Sequence, residues 1–389
     1  MKNEIASKLY NFFLLVMLFT LPVTEGLKQI SLTLFVLVGI YICVKEKRQF
    51  KFDVINISLF IFVLATFISC LVNGVSPSRV LDPLRCMLFF FVARTVGTEK
   101  INFKFMFYAL FAGFIVAFIP ACVEKFSDPD PEAFLILKSI GHVNHSAIYI
   151  FLIFLTALLF ISNKNKNRSI NIFIAIICIL ALAIAGSRST AYMIPLVSVL
   201  IFSYLIYKKE VSFKLPLTLS ILFCVVFFTY LYITIAFTAD ERIYDQMSKG
   251  VQGGEFRFLI FESAFKTWQD NIFFGIGSGN FKSIDLTHFF PQSAKAHVSH
   301  AHNTFLTFLT EKGIIALLAY LVFQLSLFIK FIKNFRQNNI VFLALLMLVF
   351  QNVISLVNTT FHHENALLML LFWALALGVI DEKNSIFKN

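Results

Sequence analysis

The chain has 389 residues, of which 58% are hydrophobic and only 14% charged, and 50 of them are phenylalanine. This composition excludes an ordinary soluble globular domain, and apolar runs of about 20 residues, long enough to cross a bilayer, recur along the sequence. The formal net charge of +11 does not favour nucleic-acid binding, because the basic residues are spread over many connections and form no single patch. We therefore predict an all-α polytopic membrane protein embedded in a lipid bilayer.

About twelve transmembrane helices are predicted from the apolar runs. The first run follows two lysines as a signal peptide would, but no small-x-small cleavage site follows it, so we interpret it as a retained helix. Three domains are predicted: 1–237 with helices 1 to 9, a large outer loop at 238–302, and 303–389 with helices 10 to 12 and a cytoplasmic tail. In chain order the predicted spans cover 9–23, 28–44, 54–72, 80–95, 105–121, 143–162, 169–186, 188–207, 215–237, 304–329, 340–358 and 365–380.

Connections rich in lysine and arginine alternate along the chain with connections that are poor in them. Each connection assigned to the inner side carries three or four of them, whereas the outer connections are short or, as at 123–134, acidic. Because short cytoplasmic loops retain Lys and Arg, this alternation predicts cytoplasmic N- and C-termini. The basic residues of the inner connections are Lys45, Lys47, Arg48, Lys51, Arg94, Lys100, Lys104, Lys164, Lys166, Arg168, Lys208, Lys209, Lys214, Lys330, Lys333 and Arg336.

Two arginines lie close to the predicted membrane depth. Arg188, in "AIAGSRSTAYMIPL", has almost no loop to hold it between the seventh and eighth helices. An arginine at such depth costs about 2.5 to 3.5 kcal/mol on insertion scales, so it usually faces a cavity or a partner, although a snorkelling side chain at the interface stays open. Arg85 raises the same question, with Asp82 one helical turn earlier as an available ion-pair partner.

Histidine pairs stand on the predicted outer side. His142 and His145 stand at the entry to the sixth helix, and His362 and His363 precede the twelfth. Each pair could contact a substrate or could form a polar cluster at a helix start.

No metal site is predicted. The six cysteines lie in or beside apolar runs without C-x-x-C pairing, which argues against a zinc site or a disulfide scaffold. Asp128 and Asp130 are separated by a proline, which indicates a stiff acidic loop. His297, His300 and His302 have a spacing that does not place all three on one helical face.

The predicted outer loop at 238–302 is far longer than a usual connection, which indicates a functional segment. Within it, Phe256, Ile260, Ala264 and Trp268 recur at helical spacing, which predicts an amphipathic helix lying in the membrane interface. The "GIGSG" that follows is interpreted as turn-forming glycines and not as a nucleotide loop, because no strand precedes it.

Three short motifs share the predicted outer side: "GSRS" around Arg188, "GEFR" around Arg257, and His302-Asn303 followed after nine residues by Gly313. Together with about twelve helices, cytoplasmic termini and one large loop between the ninth and tenth helices, they resemble the O-antigen ligase/polymerase superfamily of GT-C-like membrane glycosyltransferases. Within it, the sequence is most similar to the O-antigen ligases.

The resemblance implies transfer of a polysaccharide at the periplasmic face of the bacterial inner membrane. The implied donor is O-antigen on undecaprenyl pyrophosphate and the implied acceptor is a sugar hydroxyl of the lipid A core, with inversion at the anomeric carbon and with no metal or other cofactor. Arg188 and Arg257 match the diphosphate-binding positions and His302 matches the general base. Arginine binds phosphate through bidentate charge-assisted hydrogen bonds, and an imidazole with a pKa of about 6.5 can take a proton, so the residue types suit these roles.

Four further residues are predicted to contact the donor or the acceptor: Asn303, His300, Arg85 and His145. Solvated loop histidines near the lipid headgroups stay an alternative for His297 and His300.

Two other functions stay open. The ligase pattern continues with Gly, Thr or Tyr three residues after Gly313, whereas this sequence has Ala316, so an O-antigen polymerase of the same superfamily is an alternative. A twelve-helix secondary transporter could also use Arg188 and the outer histidines, but the matching pair of broken helices typical of such carriers is not evident in the sequence.

Overall fold

The computed structural model describes residues 2–127, 135–161, 168–185, 187, 190, 193–211, 218, 221, 225, 228, 253–284, 298–361 and 363–386. This part of the chain is helical and contains no strand, as predicted. Two short 3-10 helices, Pro77–Val80 and Phe281–Ser283, precede α4 and follow α9. The α-helices are α1 (Lys2–Thr20), α2 (Glu25–Lys45), α3 (Val54–Val72), α4 (Leu81–Val96), α5 (Phe103–Ser127), α6 (Val143–Leu159), α7 (Arg168–Ala185), α8 (Met193–Tyr207), α9 (Gly253–Gln269), α10 (Thr304–Asn334), α11 (Asn339–Ser355) and α12 (His363–Ile386).

A helix lies at each predicted span except 215–237, most of which falls outside the described residues. Six of the helices (α2, α3, α5, α7, α10 and α12) are long and apolar enough to cross a membrane, and α6, α8 and α11 are shorter apolar helices. The chain is therefore a multi-pass membrane protein. The largest difference from a predicted boundary is in α1, which begins at Lys2 although its predicted span begins at residue 9. Helix α5 also continues to Ser127, beyond its predicted end at 121.

Helix α12 forms the centre of the bundle. Every residue from Ala366 to Leu377 is buried, including Trp373. A helix that is apolar on all sides has to be enclosed by others, and α12 packs against α4, α6 and α11. The peripheral helices α2, α3 and α10 instead expose large apolar side chains such as Leu37, Phe60 and Leu325, which suits contact with lipid.

The end of α12 remote from His363 carries a network of ion pairs. Arg94, at the end of α4, is buried, and its Nη1 donates to Asp53 Oδ1 at 3.0 Å and to Asn56 Oδ1 at 2.8 Å. Lys51 Nζ lies 2.9 Å from Asp381 Oδ2. Arg94 and Lys51, both predicted on the inner side, thus lie at one end of the bundle, and the histidines at the starts of α6, α10 and α12 lie at the other.

Helix α9 forms within the predicted outer loop, but the prediction of its membrane-facing side is wrong. Ile260 and Ala264 are fully buried in the protein, and Thr310 Oγ1 of α10 donates to the Ala264 carbonyl at 3.1 Å. The large side chains that α9 exposes include Phe258 and Phe265. Helical periodicity identifies an apolar stripe, but it does not say whether lipid or another helix covers it.

Candidate active site

Helix α10 is interrupted at Gly313, whose φ of 78° and ψ of −180° are not helical. The turn that follows α9 inserts at this break. The amides of Ile276 and Gly277 donate to the carbonyls of Thr310 and Glu311, each at 2.9 Å. The turn therefore supplies backbone donors to carbonyls that lose their helical partners at the break, which a membrane protein requires.

Glycine permits this close approach of two backbones. A Cβ atom on Gly313 would lie 2.1 Å from the Phe273 carbonyl oxygen, and one on Gly275, which has a φ of 61°, would lie 2.4 Å from the Thr310 carbonyl oxygen. The "GIGSG" segment is thus a turn, in agreement with its interpretation, and Gly313 of the superfamily-like pattern is required by backbone packing.

Gly313→Ala is expected to destabilise the protein, because the added Cβ meets backbone and because alanine disfavours a positive φ. We expect the free energy of unfolding to fall by about 1 to 3 kcal/mol. The measurement is the Tm of the purified full-length protein in detergent, which should fall. Gly26→Ala is the matched control, because nothing lies within 4 Å of a Cβ at that helical position. Equal Tm values for the two variants would contradict the role of Gly313.

His302 precedes α10 in a strained backbone conformation. Its φ is 51°, a region that costs most non-glycine residues about 1 to 3 kcal/mol and that histidine visits more often than most. Asn303 begins the helix as its N-cap: its Oδ1 accepts from the Leu306 amide at 2.9 Å and its Nδ2 donates to the Leu356 carbonyl at 3.1 Å. The cap fixes the backbone immediately after His302, so Asn303 positions the imidazole.

Four imidazoles form a row from His302 to the start of α6. The ring centroids are 4.7 Å apart between His302 and His300, 6.4 Å between His300 and His145, and 5.2 Å between His145 and His142. His300 Nδ1 lies 2.8 Å from Ser299 Oγ. His302 Nδ1 is buried and has no hydrogen-bond partner among the described residues, so its ring orientation depends on the backbone and on His300.

Burial keeps His302 and His300 uncharged near neutral pH. The pKa of His302 is lowered from its usual value, first by burial and then by the charges of Arg257 and His142. The pKa of His300 is lowered to about 3, first by burial and then by His302, His145 and His142. A neutral imidazole is the form that accepts a proton, so His302 is suited to act as a base.

Of the two predicted diphosphate-binding arginines, the structure describes Arg257 but not Arg188. Arg257 is on α9 with an exposed side chain, close enough to His302 for its charge to lower the pKa of the imidazole. Arg188 lies outside the described residues. The preceding residue, Ser187, is described, and its Oγ donates to Asn144 Oδ1 at 3.2 Å, at the start of α6.

A cavity of about 480 Å³ opens beside the row of imidazoles. This volume is in the range of small-molecule sites. Its walls come from α3, α4, α6, α10 and α12 and from the turn after α9, and three of the imidazoles contribute to it: His142, His145 and His300. Its charged lining residues are Arg79, Asp82, Lys282, Glu311 and Lys312.

Not all of the predicted substrate-binding residues meet at this cavity. His145 and His300 line it, whereas Arg85 lines a separate cavity of about 30 Å³. There Arg85 forms an ion pair with Asp82, the partner considered from the sequence, and donates to Gln29 Oε1. The Arg85 guanidinium is therefore bound by Asp82 and Gln29 of the protein itself.

His363 also lines the large cavity, while His297 and His362 lie outside the described residues. The described residues contain no group of three or more His, Cys, Asp or Glu side chains arranged to hold a metal ion.

Sequence reasoning gave no role to three cationic residues that line the cavity: Arg79, Lys282 and Lys312. A signal for them exists. Arg79 and Lys282 stand on predicted outer connections, where lysine and arginine are depleted, and Lys312 stands inside a predicted span, where a charge is costly and usually functional.

The family whose model matches this chain is described as O-Antigen ligase, and the match covers residues 173–321. The matched segment contains Arg188, Arg257, His302 and Gly313. Over this segment the chain is similar to the O-antigen ligase family, which supports the resemblance to the O-antigen ligase/polymerase superfamily. No curated protein matches it. Members of this superfamily are glycosyltransferase-like membrane enzymes of the lipopolysaccharide pathway, with lipid-linked polysaccharides as substrates, so the resemblance found in the sequence is confirmed at this level.

Proposed function

We propose that this protein belongs to the O-antigen ligase/polymerase superfamily and is an O-antigen ligase. It transfers a polysaccharide from undecaprenyl pyrophosphate to a sugar hydroxyl of the lipid A core, with inversion at the anomeric carbon and without a metal. The fold is GT-C-like with about twelve membrane helices, and 238–302 is its large periplasmic loop. The active site faces the periplasm of the inner membrane, and both termini are cytoplasmic.

The observation that carries this proposal is the placement of His302. Its imidazole is held at the start of α10 by a strained backbone and by the Asn303 cap. Burial and the charge of Arg257 favour the neutral form of the imidazole. A neutral imidazole beside a cavity can remove the proton from an acceptor hydroxyl as that oxygen attacks the anomeric carbon, a contribution of about 10²- to 10⁴-fold to the rate.

The leaving group needs cations more than it needs an acid. Cleavage of the glycosyl–phosphate bond leaves the electron pair on the diphosphate, whose added negative charge Arg257 and Arg188 neutralise through bidentate hydrogen bonds. In a site poor in water such fixed donors stabilise the transition state by several kcal/mol. The proximity of Arg257 to His302 supports this pairing of base and leaving-group site.

The opposite ends of the bundle support the proposed orientation. Lys51 and Arg94 lie in the ion-pair network at one end, and the imidazoles lie at the other. If lysine and arginine mark the cytoplasmic side, the candidate site opens to the periplasm.

A polymerase of the same superfamily is the second candidate, because the ligase pattern is broken at Ala316. Ala316 is fully buried within α10, three residues beyond Gly313. The departure therefore affects helix packing and leaves the described lining of the cavity unchanged.

Deletion of the gene from its own bacterium separates the two candidates. A ligase predicts lipid A core without O-polysaccharide, together with long chains left on undecaprenyl pyrophosphate. A polymerase predicts lipid A core capped by a single repeat. Normal, long-chain lipopolysaccharide in the deletion strain would contradict both.

A further inference from the structure

The cavity beside the imidazoles has more positive charge than its own acidic residues neutralise. Arg79, Lys282 and Lys312 line it, and none of the three forms an ion pair with an acidic residue in the part of the chain that the structure describes. An unneutralised cluster of cations in a concave site attracts an anion.

The two carboxylates of the lining neutralise its three cations only in part, although Glu311 attracts both Lys312 and Arg79. Asp82 pairs with Arg85. Glu311 is buried, and its Oε1 accepts a hydrogen bond from the Phe281 amide at 3.3 Å. Backbone donors thus stabilise the Glu311 carboxylate, and it makes no ion pair with Lys312 within 4 Å among the described residues.

Lys312 is the most unusual of the three cations, because its side chain is only 8% exposed. Its Nζ lies 4.8 Å from the ring centroid of Phe62 and 4.5 Å from that of Phe308. The ring faces offset part of the lost hydration of the ammonium. The charge of Glu311 acts on Lys312, but the two form no ion pair within 4 Å among the described residues. A buried ammonium without a direct ion-pair partner is costly, and an anion in the cavity would reduce that cost.

Arg79 and Lys282 are exposed at the other side of the cavity. Arg79 is in the 3-10 helix Pro77–Val80, and its Cζ would lie 3.3 Å from a Cβ atom on Gly279. Lys282 is in the 3-10 helix Phe281–Ser283. The cavity therefore has one buried ammonium at its base and two exposed cationic side chains at its mouth.

We propose that this cavity binds a phosphoryl group of the acceptor glycolipid, with Lys312 at the base and Arg79 and Lys282 at the mouth. Three cations match a phosphate monoester, which carries close to two negative charges and several strong acceptor oxygens. This inference rests on the proposed ligase function and names the group of the acceptor that the site recognises.

The position of the cavity favours the acceptor over the donor. In an inverting displacement the attacking oxygen and the leaving diphosphate stand on opposite sides of the anomeric carbon. His300 lines the cavity, whereas Arg257 is not among its lining residues. The His300 ring centroid is 4.7 Å from that of His302, so a glycolipid held in the cavity lies beside the base and apart from the proposed diphosphate-binding Arg257.

The test measures binding by the purified full-length protein and needs no turnover. The probes are lipopolysaccharide without O-polysaccharide, the same glycolipid dephosphorylated with hydrofluoric acid, and undecaprenyl diphosphate. For the wild type we expect dephosphorylation to raise the acceptor Kd by roughly 10- to 100-fold. In Lys312→Met this ratio is expected to fall close to one, while the Kd for undecaprenyl diphosphate changes less than about twofold.

Lys104→Met is the matched control, since Lys104 Nζ also lies over an aromatic ring, at 5.7 Å from the centroid of Tyr108, but outside the cavity. Its Kd ratio should equal that of the wild type. If Lys312→Met does not fold, the double variant Arg79→Gln, Lys282→Gln at the exposed mouth should reduce the same ratio.

The outcomes separate this inference from the proposed function. A wild-type protein that binds the native glycolipid equally well with and without phosphate would overturn the phosphate site and leave the ligase function intact. If Lys312→Met bound undecaprenyl diphosphate more weakly than the wild type while its binding of the acceptor glycolipid stayed unchanged, the cavity would belong to the donor and the inference would be overturned. A wild type that binds no acceptor glycolipid at all would overturn the ligase function itself.

Discussion

His302→Ala is expected to lower polysaccharide transfer by about 10²- to 10⁴-fold, the usual contribution of general-base catalysis. Without the imidazole, the acceptor hydroxyl has to attack while it still carries its proton. The measurement is the initial rate of transfer from the lipid-linked donor to O-chain-free lipopolysaccharide by purified protein, with Tm as the control for folding. A variant that transfers at the wild-type rate would show that His302 is not the base.

The pH profile of the wild type gives an independent measurement on the same group. The base must be neutral, and the pKa of His302 is lowered below its usual value by burial, Arg257 and His142. Transfer should therefore persist below about pH 6.5 and decline as the pH falls through the lowered pKa. A loss of transfer rate centred above pH 6.5 would contradict this environment for His302. The same loss of rate at low pH in His302→Ala would show that another group titrates.

Arg257→Lys is expected to lose nearly as much activity as Arg257→Ala, about 10²- to 10³-fold, by analogy with the removal of one oxyanion donor. Lysine keeps the charge but cannot form the planar bidentate contact with a diphosphate. Because the interaction strengthens as negative charge develops on the leaving group, the loss should fall mainly on kcat. Arg188→Lys should behave in the same way if both arginines bind the diphosphate.

Arg336→Lys is the matched control for this substitution. Arg336 is exposed at the end of α10 remote from His302, with its Cζ 5.5 Å from the Phe335 ring centroid, and its replacement should leave transfer unchanged. Full activity of Arg257→Lys would show that Arg257 acts only through its positive charge and that the bidentate contact is not needed.

The sequence predicts the helices well because the bilayer demands long apolar segments with internally paired backbones. The span predicted at 54–72 coincides with α3 (Val54–Val72). What covers each helix is a tertiary property. The sequence therefore identifies the apolar stripe of α9 through Ile260 and Ala264, but it does not show that α10 covers that stripe.

The same limit applies to the candidate site. The motif at His302 and Asn303 identifies a candidate base from local pattern alone. The approach of His145 to His300 joins segments far apart in sequence, so no local spacing encodes it. Lys312 stands beside the motif glycine, yet only its enclosure by Phe62 and Phe308 distinguishes it from a lysine that reaches water.

The break in α10 has a consequence for engineering substrate choice. Ile276 and Gly277 are hydrogen-bonded to carbonyls within a helix of the membrane domain, so the segment after α9 is not an autonomous module. A chimaera that exchanges this segment between ligases would have to carry the first part of α10 with it, or both partners would lose backbone hydrogen bonds at once. Donor or acceptor preference in this group should therefore be transferable only with the two segments together.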